Sequence, residues 1–459
     1  MCYIGRLKKR NELFTVVDSG QPYYLPVYQH IPNGRFAIPE GYSWPESSSK
    51  SIERSLSSHA EFTKFSRDHC IPATERECSL VVALSERTNG IPPVREPAST
   101  PAEFEKALRQ LNLGSSTGLG AYQTYPTIRD AIGFDGVNFD PRKSDQRREI
   151  WERVRLKLSG LAEGLDYNDD IKLFIKDEPL SDKKKAANRE RLIFCLSLED
   201  QIVDHILFGD IVSAEVKHCH DTNSKVGWSP LPAGFFSFYH SFSLDDVASI
   251  DKSAWDWTMP PYIAYCYFKQ RFSHFSPIGQ AMVWRRFLQV LGPSCVLRLP
   301  NGRRLRQTGF GVMKSGWLLT IGMNSAAQVY QHYLAQIRSN APPRLLWTCG
   351  DDIVMQTPTV AYLIQLSFTG CVLKHVLPRA EFMGQRFEPN NVLQPIYPDR
   401  HAYSMAYTDP FLLKELAVGL LSWYALAKDR QVVKPLEPYS PHPRDSYMWW
   451  AYGLLELSQ

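Results

Sequence analysis

The sequence predicts an α+β chain, and three observations carry that reading. The stretch 344–356, Arg-Leu-Leu-Trp-Thr-Cys-Gly-Asp-Asp-Ile-Val-Met-Gln, sets apolar runs on both sides of a Gly/Asp centre, as two strands joined by a tight turn do. Further short apolar runs at 171–176 and 247–250 read as strands ending in charged residues. Between and beyond them lie longer segments with helical patterning, among them 144–158, 197–207, the run to about 337, 410–427 and 446–457.

Composition sets the outer limits. A chain of 459 residues is too long for one simple core and suggests two or three subdomains in one enzyme-sized body. With 44% hydrophobic and 22% charged residues it reads as globular, and a net charge of +4 gives little argument for a polyanionic partner, so local basic clusters matter more. Nine cysteines stand singly, which points to reduced thiols and a cytosolic setting. His69-Cys70 with Cys78, and His218-Cys219-His220, lack zinc-type pair spacing. No apolar run reaches the roughly 18 residues that span a bilayer. Arg6, Lys8, Lys9 and Arg10 have no apolar core behind them, so no secretory signal is expected.

Taken in order, residues 1 to about 100 are rich in Pro, Ser and aromatics with little periodicity and are expected as extended segments packed over another body, with 47–49 and 91–93 as loops. The loop 114–120 is Gly/Ser-rich and could approach a phosphate chain or serve as a plain linker. The helix 144–158 has Ser144 as its expected N-cap and a run of Arg and Lys that reads as a solvated face. After the strand 171–176 come Asp177-Glu178-Pro179, a basic loop at 183–185, and then Arg189-Glu190-Arg191. If the latter is a strand, Arg189 and Arg191 share a face. With Lys176 they would form a basic wall for a triphosphate or a nucleic-acid backbone; a solvated basic hairpin is the alternative. The segment 261–300 reads as helical and aromatic, 302–306 as a basic hairpin, 360–368 as a helix, 371–376 as a strand carrying Lys374, and 381–387 as a short hairpin.

Chemistry concentrates where these elements end. Asp251 ends one strand, and Asp351 and Asp352 tip the hairpin. Adjacent carboxylates repel unless a cation lies between them, and hard oxygen ligands suit Mg²⁺ or Mn²⁺, though a solvated turn is the plainer reading of the tripeptide alone. If the strands are neighbours, the three carboxylates converge as a two-metal phosphoryl-transfer site requires. Ser315-Gly316 precede a helix in which Thr320 and Asn324, four apart, share a face. A hydroxyl and an amide there, with Asp256 five residues after Asp251, could hydrogen-bond a ribose and penalise a sugar without its 2′-hydroxyl.

Asp251-x4-Asp256, Ser315-Gly316-x3-Thr320-x3-Asn324 and Gly350-Asp351-Asp352, in this order, resemble motifs A, B and C of viral RNA-dependent RNA polymerases. Lys176-Asp177-Glu178-Pro179 with Arg189-x-Arg191-Leu192-Ile193 resembles motif F. Ser-Leu-x-Asp-Gln-Ile-Val from Ser197 and Lys225-Val226-Gly227-Trp228 are similar to the sobemovirus and polerovirus group, whose motif G the loop Ser115-Ser116-Thr117-Gly118 resembles. Lys374 stands where motif D has its lysine, and 382–387 where motif E lies. The resemblance covers about residues 110 to 390. Thr117 replaces a proline of the plant viruses, which implies a divergent, sobemo-like member.

The resemblance implies a right hand with a small antiparallel palm sheet flanked by helices. Fingers and an N-terminal extension are expected over 1–240, palm over 241–264, a fingers insertion over 265–312, palm again over 313–390 and thumb over 391–459. It further implies template-directed RNA synthesis from ribonucleoside triphosphates with two Mg²⁺ or Mn²⁺ ions on Asp251, Asp351 and Asp352. Lys176, Arg189, Arg191, Asp256, Ser315, Gly316, Thr320 and Asn324 would bind the nucleotide. Lys374 would be the proton donor to pyrophosphate, preferred over His375 because strand neighbours face opposite ways. Ser115, Ser116, Thr117 and Gly118 would meet the template. Expected partners are template and nascent RNA and ribonucleoside triphosphates, with initiation left open between a genome-linked protein primer and a de novo start, and with host membranes reached only through other proteins, in a replication complex of the host cytoplasm. A reverse transcriptase or a non-catalytic RNA-binding protein with the same fold are the alternatives.

Overall fold

The computed structural model describes residues 13–26 and 28–457. Cys2, Arg6, Lys8, Lys9 and Arg10 therefore lie outside the described residues. The main elements are β1 (Phe14–Ser19), α1 (Ser49–His69), α2 (Glu75–Asn89), α3 (Ser144–Glu163), β2 (Ile171–Ile175), β3 (Leu192–Cys195), α4 (Leu198–Lys217), β4 (Ala248–Lys252), α5 (Pro261–Phe272), α6 (Pro277–Leu291), β5 (Val296–Arg298), β6 (Arg303–Gln307), α7 (Thr320–Ser339), β7 (Leu346–Cys349), β8 (Asp352–Met355), β9 (Leu373–Leu377), β10 (Glu381–Phe382), β11 (Gln385–Glu388), β12 (Val392–Pro395) and α8 (Pro398–Tyr407).

Two sheets organise the molecule. A mixed five-stranded sheet runs β1-β6-β5-β2-β3, so strands from the chain start, from 171–195 and from 296–307 lie side by side. A four-stranded sheet runs β9-β4-β8-β7 with every pairing antiparallel. Most of the strands are short apolar runs, whereas β6, Arg-Arg-Leu-Arg-Gln, buries only Leu305 and Gln307. In β2, buried and half-buried residues alternate, as in a strand with one face on the core. The helix α7 lies against the four-stranded sheet, and each of its residues from Gly322 to Gln336 is buried. One core packs the elements before the hairpin onto α7 and continues through Leu346, Ile353 and Met355 to Tyr362 and Leu366; a second gathers Trp228, Phe238, Trp347, Phe387, Tyr424 and Tyr447. There Phe238 stacks on Phe387 with ring centroids 3.8 Å apart.

Several expectations are corrected. The first hundred residues are not merely extended: α1 and α2 occupy 36 of them. Each helix begins in a capping box, Ser48 with Ser51 and Thr74 with Glu77. Ser144 does not cap α3. A short 3-10 turn, Pro141–Lys143, runs straight into the helix, and Asp140 caps that turn by accepting from the Arg142 N–H at 2.9 Å. The basic loop at 183–185 is a short helix, Asp182–Ala186. Arg189 and Arg191 lie ahead of the strand, which starts at Leu192, so the shared-face argument does not apply to them. The 410–427 helix is split into a 3-10 turn, Pro410–Leu412, and a helix, Leu413–Trp423.

Candidate active site

The carboxylate turn is built by register. Ile353 of β8 pairs with Ile250 of β4, and the next residues toward the turn are Asp352 and Asp251, so the two carboxylates leave neighbouring strands at the same end of the sheet. Gly350 makes the turn with φ +63°. Its N–H donates to Ser325 Oγ at 2.7 Å, and the Thr348 hydroxyl donates to the Ser325 carbonyl at 3.0 Å, so α7 holds both the strand and the turn. Asp351 is exposed at the tip and Asp352 is half-buried. Burial, then the charge of Asp351, and further those of Asp251 and Glu381 push Asp352 up to about 7, against a stabilising bond from the Met383 backbone N–H. Asp251 accepts a hydrogen bond from the Lys374 ammonium.

These side chains fit a hard divalent cation in kind: three carboxylates, one of them raised first by burial and then by the negative charge of its neighbours. Their spacing is open, and among the described residues no three His, Cys, Asp or Glu groups close into a metal cage. Lys374 sits at a β-bulge, where the register of β9 on β4 shifts between Leu373 and His375. The bulge lets Lys374 reach Asp251 although His375 is the residue paired opposite it, so strict alternation does not choose between the two here.

Asp256 and Asn324, expected to meet the sugar, lie against each other. Ala254, at φ +47°, turns the chain into a single helical turn carrying Asp256. Asn324 Nδ2 donates to Asp256 Oδ1 at 2.6 Å, and because the carboxylate demands the amide N–H, the amide oxygen faces the other way. That oxygen is buried and has no partner. Burial raises Asp256 to about 6, with the Asp351 charge adding and the Asn324 bond and Arg191 opposing. Thr320 opens α7 and donates to the Lys314 carbonyl at 2.8 Å, closing the turn that holds Ser315 and Gly316. That turn crosses β3: the Phe194 N–H donates to the Ser315 carbonyl at 2.9 Å, and a Cβ on Gly316, at φ +114°, would stand 2.9 Å from the Phe194 carbonyl. Ser315 and Gly316 thus precede the helix rather than belong to it.

The basic residues divide. Lys176 and Arg191 both approach Glu178, at 2.9 and 3.6 Å. Arg189 lies with its guanidinium 4.6 Å from the centre of the Phe62 ring of α1, its Nε buried without a partner. In the 115–118 loop, Thr117 and Gly118 are buried. Thr117 accepts from the Leu198 N–H and donates to the Tyr125 carbonyl, and Gly118 packs on the Leu196 carbonyl. They shape the loop, and Ser115 and Ser116 are left as the half-exposed pair.

Sequence reasoning missed three participants. Ser325, next to Asn324, braces the turn. Buried Lys252, next to Asp251, donates to Gln331 Oε1 at 2.7 Å and to Gln328, which in turn donates to the Gly350 carbonyl at 3.4 Å. Burial lowers the Lys252 pKa to about 8. Both residues adjoin motif positions, which was the available signal. The third, Arg400 of α8, donates to Glu178 at 3.0 Å, and nothing local in the sequence marks it.

A family model described as viral RNA-dependent RNA polymerase matches residues 59–368. A replicase polyprotein P2AB of Cocksfoot mottle virus is 29% identical over 199 residues, 41% of this chain and 19% of that one. An RNA-directed RNA polymerase of Mushroom bacilliform virus is 28% identical over 243 residues, 50% of this chain and 58% of that one. The chain thus spans less than two thirds of the length of either relative. A Sicinivirus 3Dpol RNA-dependent RNA polymerase structure superposes with a TM-score of 0.70 at 17% identity, covering 96% of this chain and 99% of that one, so the fold is that of a right-hand polymerase.

Proposed function

Because the chain belongs to the viral RNA-dependent RNA polymerase family, we propose that it copies an RNA template by nucleotidyl transfer from ribonucleoside triphosphates, in replication of a viral RNA genome. In this reading Asp251, Asp351 and Asp352 hold two divalent cations, Mg²⁺ or Mn²⁺. Such ions lower the pKa of the attacking 3′-hydroxyl and neutralise the triphosphate and leaving group. Lys176, Arg189 and Arg191 hold the triphosphate, the work of positioned charge in phosphoryl transfer. Lys374, set against Asp251, hands a proton to the departing pyrophosphate. Ser315, Gly316 and Thr320 shape the sugar's side of the site, and Ser115 and Ser116 face the template. Fingers, palm and thumb divide as the sequence suggests, with the strands of 296–307 added to the fingers sheet. A genome-linked protein as primer and a replication complex in the host cytoplasm complete the reading; among the described residues no helix is long and apolar enough to cross a membrane.

The observation that carries the reading is the Asp256–Asn324 pair. Asp256 fixes the Asn324 amide so that its buried, unpartnered oxygen is left to accept from a ribose hydroxyl. A buried acceptor without a donor costs about 1–3 kcal/mol, which a 2′-hydroxyl removes and a deoxyribose does not. The test is nucleotide incorporation on an RNA template with Mg²⁺ or Mn²⁺. Asp351→Asn is expected to lower the rate about a hundredfold or more. Asn324→Ala is expected to retain synthesis while the preference for ribo- over deoxyribonucleotides falls at least about tenfold. Full activity of Asp351→Asn would remove the metal assignment, and an unchanged preference in Asn324→Ala would remove the sugar assignment.

A further inference from the structure

Three cations converge on the one carboxylate of Glu178. Lys176 Nζ lies 2.9 Å from Oε2, Arg400 Nη2 3.0 Å from the same oxygen, and Arg191 Nη1 3.6 Å from Oε1. Glu178 is mostly covered, with 18% of its side chain exposed, whereas Lys176, Arg191 and Arg400 keep 43%, 54% and 44% open. Burial opposes ionisation of Glu178, yet its bond from Lys176 and the charges of Arg191, Lys176 and Arg400 hold it below the usual carboxylate range. One negative charge therefore faces three positive ones. Lys184 adds to the excess: burial, then Arg191, Arg189, Lys374 and Arg400 push its pKa down. An excess of cations in a partly desolvated place is repulsive until a polyanion enters.

Arg400 differs from the others in origin. It stands in the first turn of α8, 222 residues beyond Glu178. The residue before that helix, Tyr397, feels the opposite field: burial and the charges of Asp352, Asp251 and Asp351 raise its phenol pKa. Ile396, just before it, donates its N–H to the Gly384 carbonyl at 3.1 Å, one residue from the Met383 N–H that bonds Asp352, so the start of α8 borders both the cation cluster and the carboxylate turn, the two ends that a nucleotide triphosphate has to span.

We propose that Arg400 is a further triphosphate-binding residue, with Glu178 as its exchangeable counter-ion: the triphosphate of an incoming nucleotide draws Arg400, with Lys176 and Arg191, away from Glu178. The inference rests on the reading of the site given under Proposed function. It gives the C-terminal part of the chain a direct contact with the nucleotide, and makes Glu178 a competitor of the substrate.

A simple tie between α8 and the 176–191 segment would use the same ion pair, and the two ideas differ in sign. As a triphosphate ligand, Arg400→Ala raises the KM for nucleotide about tenfold, the scale of one lost charge-assisted contact, with kcat changed about threefold or less, and Arg400→Lys falls between. Glu178→Gln, which frees the cations, lowers KM about two- to threefold. As a tie, both substitutions remove the same bond and move KM and melting temperature in the same direction. An unchanged KM in Arg400→Ala, or a KM raised by Glu178→Gln as far as by Arg400→Ala, overturns the proposal. Titration calorimetry of the full chain with inorganic triphosphate supplies a readout without catalysis, and Arg400→Ala is expected to weaken that binding about tenfold. Binding lost in Arg400→Ala without nucleotide incorporation by the unaltered chain would sink the polymerase reading and keep the anion site. Incorporation with a silent Arg400→Ala in both assays would sink this inference alone.

Discussion

Gly350 holds φ +63° at the hairpin turn, and nothing lies within 4 Å of where a Cβ would stand. Space is therefore no obstacle there, and only the left-handed backbone selects glycine. Gly350→Ala is expected to cost about 1–2 kcal/mol from that strain, and Gly350→Asn less, because asparagine tolerates this region better. Thermal melting should rank the three Gly, Asn, Ala. Incorporation should fall in the same order, because the strained bond adjoins Asp351 and the Gly350 N–H is the group that Ser325 holds at 2.7 Å. An alanine variant as stable as the parent would show that the turn can relax without α7. The carboxylates themselves were legible as residues because they stand at strand ends and a turn, where spacing along the chain becomes proximity in space. Ser325 was not, since a serine inside a buried helix has no pattern of its own. Its role appears only when β7 and β8 are laid against α7.

At the scale of elements, legibility followed the chemistry of the buried face. The hairpin and β4 bury short continuous runs and were read from them, and α7, buried at every residue from Gly322 to Gln336, was read from the motif that opens it. The helix α1 turns Ser51, Ile52, Ser55, Leu56, His59, Thr63 and Ser66 inward, so a search for apolar periodicity passes over it. Its hydroxyls bond to carbonyls instead: Ser55 to Glu190 at 2.8 Å, Thr63 to Trp257 at 2.6 Å and Ser66 to Thr258 at 3.2 Å. The helix α2 carried a readable start, Thr74-x-x-Glu77, ahead of a face of Cys78, Val81, Ser85 and Asn89. Glu77 also receives the Arg338 guanidinium of α7 at 2.8 Å. That bond, opposed by burial and aided by Thr74, lowers its pKa from 4.5 to about 2. A depressed carboxylate adds stability that is present above its unfolded pKa and lost as pH falls through the folded one. Glu77→Gln keeps a side chain able to cap and removes the charge. The variant should therefore melt lower than the parent at pH 6–8 by a constant margin. The margin should shrink as pH drops from about 4.5 toward 2, because the parent loses what the variant never had. A margin independent of pH down to the acid limit would mean that the Arg338 bond, and not its charge, is what matters.

At the scale of the whole molecule, the site is assembled from distant parts of the chain, and a buried charge cluster helps hold those parts together. Arg286 of α6 is 1% exposed and binds Asp204 at 2.7 Å and Asp200 at 3.2 Å, both on α4, while Lys157 of α3 meets Asp200 at 3.2 Å. Three helices from different stretches thus share one set of charges. From α6 the chain runs through β5 and β6, in the five-stranded sheet, to the turn at Ser315 and Gly316. Removing one partner from such a set leaves a buried charge without compensation, which costs about 3–5 kcal/mol, more than the set contributes over an apolar replacement. Arg286→Met is therefore expected to lower stability by about that amount in urea unfolding, because Asp204, whose pKa burial already raises with Arg286 present, is left buried without its cation. Adding Asp204→Leu removes the stranded carboxylate and should recover most of the loss, leaving Asp200 to Lys157. Among the described residues no hydrogen bond or ion pair of Arg286, Asp200 or Asp204 runs to Asp251, Asp351 or Asn324, so the double variant, once folded, should incorporate nucleotide at close to the parent rate and keep the parent's sugar preference. If the double variant is no more stable than Arg286→Met alone, the helices are held by the shape of the arginine rather than by its charge. If it folds well but loses activity, the packing of α6 and α4 reaches the Ser315 turn through Trp317, whose ring lies 5.9 Å from that of Phe287 and 6.0 Å from that of Phe208.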